Sequence, residues 1–205
     1  MTELLAVVTI TVFAVISPGP DFAIVSRNSL LTNRQAGVLT AIGIALGVFV
    51  HVGYTLLGVG ILIRQSPVLL EILRFAGALY LVWLGLTLIL SRGKRKESGT
   101  QERGMSSMEA LRMGFLTNAL NPKTSVFIIS LFLQVVSPAT PLVTQIAYGL
   151  FISLTHGIWF SLVAVFFSAK TMQRTFEAER HLIDRIFGTI LVGFGAALVV
   201  TGLGV

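Results

Sequence analysis

Two apolar stretches of this chain are each interrupted by proline beside an ionisable side chain. No other feature constrains the fold as much. The first is Ile16-Ser17-Pro18-Gly19-Pro20-Asp21, and the second is Asn118-Ala119-Leu120-Asn121-Pro122-Lys123-Thr124-Ser125. Proline removes a backbone donor and clashes with the preceding turn, so each run predicts a broken helix. Broken backbone at membrane depth is tolerated only where protein or a water-filled cavity satisfies it. A charge at that depth points to function. Two such breaks in corresponding places of two half-chains point to a solute site between repeats.

Composition agrees with a bilayer setting. Of 205 residues, 54% are hydrophobic and 12% charged, against about 25% charged in soluble domains. Mean hydropathy is +0.87. Cysteine is absent, which excludes disulfides, thiolate metal sites and a cysteine nucleophile. The pI of about 10.3 does not imply nucleic acid, because the positive charge sits in connecting loops. Thr2-Glu3 supplies no basic leader segment, so the first apolar run reads as a retained helix.

Runs of ~20 apolar residues suffice for one crossing, and six are present. They cover about 4–25 (broken at Ser17–Pro20), 36–63, 69–91, 110–136 (broken at Asn121-Pro122), 142–169 and 186–203. The expected fold is therefore an all-α integral membrane protein. Residues 1–91 form a first three-helix repeat, 92–106 a basic loop and 107–205 a second repeat. The halves align in order. Pro18 falls on Pro122 at an offset of 104, His51 on His156 at 105, and Arg74…Gly77 on Arg185…Gly188 at 111. Three spans per half is odd, so the second half inserts upside down, as in inverted-repeat transporters.

Twelve of the fifteen basic residues fall on the face formed by loops 1–2, 3–4 and 5–6. By the positive-inside rule that face is cytoplasmic and both termini lie outside. In this count Arg27, the basic segment Arg92–Arg103 and the stretch Lys170–Arg185 are all loop charges. Gly43-x-x-x-Gly47 permits close helix packing, within one chain or between copies in a homo-oligomer.

The candidate site residues are Ser17, Pro18, Gly19, Pro20, Asp21, Asn118, Asn121, Pro122, Lys123, His51 and His156. Asp21 and Lys123 pair if the breaks face each other. The competing readings are a fixed structural ion pair, or an Asp21 at the cytoplasmic edge. A zwitterionic solute needs an anion site, supplied by Lys123 and a half-helix N-terminus, and a cation or proton site, supplied by Asp21. Asn118 and Asn121 can hold solute or cap backbone. His51 and His156 can relay protons or simply bond a carbonyl on a neighbouring turn. Tyr54 and Trp159, beside the histidines, are weaker cavity candidates. No metal or other cofactor is expected.

Ser17-Pro18-Gly19-Pro20-Asp21, the glycine-rich second span, Gly77-x-x-Tyr80-Leu-x-Trp83-x-Gly85 and Gly114-x-x-x-Asn118-x-x-Asn121-Pro122-Lys123 resemble the LysE/RhtB family of amino-acid exporters. The order of motifs is similar to that of its homoserine/threonine branch, and the resemblance covers the whole chain. It implies export of small amino acids from a bacterial cytoplasm across the inner membrane, driven by protons. A channel or facilitator using the same polar breaks is the alternative. An embedded enzyme lacks a nucleophile–base constellation here, and a scaffold would not need buried charges at two proline breaks.

Overall fold

A computed structural model describes residues 2–17, 19–58, 66–90, 105–137, 139–170 and 180–202. Pro18, the basic segment 92–103 and most of the stretch 170–185 lie outside the described residues. Within them the chain is helical. The elements are α1 (Thr2–Ile16), α2 (Pro20–Leu31), α3 (Arg34–Leu56), α4 (Pro67–Leu90), α5 (Ser107–Ala119), α6 (Pro122–Gln134), α7 (Leu142–Phe167) and α8 (Arg180–Gly202).

Both expected breaks are present. α1 and α2 meet at a 55° bend. α5 stops at Leu120 and α6 begins at Pro122, the first-turn position where a missing N–H costs nothing. α3 and α7 are apolar and long enough to cross a bilayer, at roughly 35–40 Å for ~1.5 Å per residue. The α1–α2 pair makes a third apolar span if it is read as one.

Local sequence explains the ends. Asn33 caps α3 by accepting from the Ala36 N–H at 2.8 Å. Ser106 and Glu109 form a reciprocal capping box at the start of α5. α3 stops at Leu56, short of the expected 63, and Gly58 follows with φ +75°, a left-handed conformation that favours glycine. At its other edge, α8 starts six residues earlier than expected. Asp184 therefore belongs to a helix and is buried, not a loop charge.

Glycines set the close packing. A Cβ on Gly43 would strike the Leu111 carbonyl and the Phe115 N–H of α5, and one on Gly114 would strike the Thr40 carbonyl of α3. The Gly43-x-x-x-Gly47 face is thus used inside the chain, against α5 running parallel to α3. Gly85 of α4 and Gly188 of α8 meet backbone to backbone, and Gly195 meets Ala78, so these two helices cross antiparallel. The outer surface is apolar. Leu150, Leu154, Ile158 and Leu162 follow at four-residue spacing along α7 and are all exposed. Polar residues are inside: Thr11, Ser26, Asn28, Thr40, His51 and Asn118 are fully buried. Apolar outside and polar inside is the distribution that lipid selects.

Candidate functional site

The two breaks come together, and side chains from each complete the other. Gly19 is extended and offers α2 no side-chain cap. The first turn of α2 carries Asp21, placing a carboxylate at the positive end of the helix dipole. Its Oδ2 accepts from Asn118 Nδ2 at 2.8 Å and from Asn121 Nδ2 at 3.3 Å. Asp21 is 6% exposed and Asn118 fully buried. Asp21 Oδ1 and Asn118 Oδ1 are buried and accept no hydrogen bond among the described residues.

The second break reaches back to the first. Lys123 Nζ donates to the Ser17 carbonyl at 2.7 Å. That oxygen follows the last turn of α1, where the helix dipole favours a cation. The lysine stem packs beside Gly19, at a distance (3.6 Å from an added Cβ to Lys123 Cδ and Nζ) that a Cβ would meet as ordinary contact. Asn121 spends its Oδ1 on the Lys123 N–H at 3.1 Å, capping α6, while its Nδ2 serves Asp21. One side chain thus caps α6 and also bonds the Asp21 carboxylate. Pro20 and Pro122 are buried at the first positions of their helices.

A cavity of about 30 Å³ lies at this junction, bounded by Ser17, Asp21, Asn121, Lys123, His156 and Phe160 among others. One water needs ~10–15 Å³ by this measure, so there is room for about two. That space is smaller than an amino acid. Ser17 and Lys123 are exposed while Asp21 is not.

The two histidines differ in surroundings. His51 Nε2 is 2.8 Å from the Asn118 carbonyl at the end of α5, which also accepts the Asn121 N–H at 2.8 Å. Its Nδ1 meets Tyr54 Oη at 2.7 Å and Ser125 Oγ at 3.1 Å. His51 thus fastens α3 to the second break. His156 Nδ1 meets the Ile152 carbonyl one turn back at 2.8 Å, and its ring borders the cavity. Tyr54 touches His51, and Trp159 packs into the apolar core. Neither borders the cavity.

Thr124 and Phe160 also border it, and the sequence reading passed over both. Thr124 stands inside the second proline stretch, next to Lys123, and accepts from Asn118 Nδ2 at 3.3 Å. Phe160, one turn after His156, had no signal beyond that spacing.

A family model described as "LysE type translocator" matches residues 12–202. The chain belongs to that family. It is similar to the threonine efflux protein of Salmonella typhimurium, 30% identical over 199 residues, with 95% of this chain and 96% of the relative covered. It is equally similar to the threonine efflux protein of Escherichia coli K12, 30% identical over 204 residues, with 96% and 97% covered. The leucine efflux protein of Enterobacter sp. (strain 638) is 29% identical over 190 residues, with 91% and 90% covered. No solved structure gives a significant match. Membership makes this LysE-type chain a membrane translocator rather than an enzyme, and two of the motifs that carried the resemblance, Ser17–Asp21 and Asn118–Lys123, meet at the junction.

Proposed function

We propose that the chain exports small amino acids, of the threonine/homoserine class, from a bacterial cytoplasm in exchange for protons. The observation that carries this is the buried Asp21, held at the mouth of a half-helix by amides from the other break, with the Lys123 ammonium at the same junction. A zwitterion offers an ammonium to Asp21, which still has one unbonded oxygen. Its carboxylate is met by Lys123. Asp21 also carries the proton that the ammonium displaces, so solute and proton compete for one group.

The architecture in this reading is six transmembrane helices in two inverted repeats. α1–α2 and α5–α6 are the broken first and fourth helices. The contact of one break with the other supports a repeat axis through the cavity, and so do α4 and α8 crossing antiparallel at Gly85 and Gly188. The basic face is cytoplasmic and the termini are periplasmic. A cavity with room for about two waters favours alternating access over the open pore of a channel.

The test is uptake of labelled L-threonine into inside-out vesicles that acidify their lumen, with and without a protonophore. Gradient-dependent uptake is expected. Flux indifferent to the gradient would replace the exchanger by a facilitator, and a panel of other amino acids decides the class if threonine does not move.

A further inference from the structure

Arg27 lies six residues beyond Asp21 on α2, roughly 9 Å along the helix at ~1.5 Å per residue. It is 8% exposed and faces Asp184 of α8, which is 5% exposed. Arg27 Nε donates to Asp184 Oδ1 at 2.8 Å, and Nη2 is 2.8 Å from the same oxygen. Nη1 donates to Asn28 Oδ1 at 3.0 Å. Asn28 continues the tier, donating to Thr40 Oγ1 of α3 at 3.0 Å and to Met113 Sδ of α5 at 3.5 Å. This polar layer ties four helices together between the cavity and the α2–α3 turn.

The layer joins two bodies. α4 and α8 pack chiefly on each other, with backbone contact at Gly85 and Gly188, and α8 reaches the remaining helices mainly at α2. Separating α8 from α2 would open the tier, and Arg27 and Asp184 are the charges that hold it shut.

We propose that Arg27 is a second carboxylate site, and that Asp184 is its resting occupant. The tier opens toward the cytoplasm when the carboxylate of an incoming solute replaces Asp184 on the guanidinium. This rests on the amino-acid reading above. A buried guanidinium stripped of its anion is heavily penalised, so α8 does not leave unless another anion takes over. The solute brings that anion. Asp184 engages the fork through one oxygen only, whereas a free carboxylate can meet it with two. A fixed staple between α2 and α8 would have the same geometry but would not respond to solute.

The chain has no cysteine, so Ala14→Cys, at the cavity wall, supplies a sole thiol. Its labelling by a membrane-impermeant maleimide is followed in inside-out vesicles, beside uptake of labelled L-threonine and L-leucine. Slow labelling is expected, rising roughly tenfold with whichever amino acid is taken up and unchanged by that acid's amide, which lacks the carboxylate. D184N should label fast with no addition. R27Q should label at a rate that solute does not alter. The swap R27D/D184R should label slowly again, which separates a broken gate from a misfolded chain. The proposal is overturned if D184N labels at the native rate, if the swap stays as fast as the single variants, or if solute accelerates R27Q as it does the parent. Uptake without any labelling response overturns the gate and leaves the exporter reading intact. Absence of uptake for every amino acid overturns that reading and the carboxylate exchange with it.

Discussion

Asp21→Asn separates a carboxylate that carries solute from one that holds helices together. The native group accepts two hydrogen bonds, from Asn118 at 2.8 Å and Asn121 at 3.3 Å. A hydrogen bond to a charged group contributes about 1.5–3 kcal/mol and a neutral one about 0.5–1.5. An asparagine whose amide oxygen faces both donors keeps the bonds in their neutral form and loses roughly 1–1.5 kcal/mol on each. Against that, the variant no longer buries a charge, a term of opposite sign and comparable size. The fold should therefore change by no more than ~2 kcal/mol. Transport should fare differently. Removing one member of a desolvated, hydrogen-bonded charge pair costs about 2–5 kcal/mol, which at 1.4 kcal/mol per decade is a loss of at least ~30-fold. The assay is the initial rate of labelled amino-acid uptake in inside-out vesicles, normalised to protein, with the melting temperature measured in detergent. A variant that melts like the parent and transports within about threefold of it would refute the argument, because the charge would then do nothing that an amide cannot. Loss of fold and transport together would refute it too, and would return Asp21 to the role of a structural ion.

Three further outcomes follow from the packing. Gly43→Val puts side chain into the Leu111 carbonyl and should lower stability by at least ~1–3 kcal/mol, whereas Gly53→Ala, with nothing within 4 Å, should melt at or above the parent temperature. His51→Leu removes the hydrogen bonds to the Asn118 carbonyl, Tyr54 and Ser125 and should cost about 0.5–1.5 kcal/mol for each bond lost, read as a lowered melting temperature. Single cysteines placed at Thr2 and at Val205 should react with an impermeant maleimide in intact cells; protection at both ends would invert the topology.

Much of the framework was legible because membrane insertion leaves a coarse record. Proline in an apolar run has few physical explanations, so Ser17–Pro20 and Asn121-Pro122 announced breaks that the structure contains. Spacing in one helix was legible too: Gly43 and Gly47 had to meet something close. Which helix they met was not, since small residues record nearness and not identity. The Asp21–Lys123 expectation was right about the neighbourhood but imprecise about the bonding. Amides from Asn118 and Asn121 hold the carboxylate, and the lysine reaches a backbone carbonyl, because a charge at a helix end can be satisfied by backbone dipoles as well as by an opposite charge.

The sequence concealed the pair Arg27 and Asp184. Each stands near the end of an apolar run, where counting charges for topology treats a residue as solvated. Nothing local separates an arginine that snorkels to water from one that turns inward. The distinction lies in the partner, and here the partner is 157 residues away. A small local sign was present in Arg27-Asn28-Ser29, three polar residues in succession before the turn at Thr32–Asn33. A helix that only had to leave the bilayer could present such residues on any side, yet all three are buried. The polar end of α2 thus faces inward as well as along the axis. Burial there needs partners, and Asp184, Thr40 and Met113 supply them from three other helices.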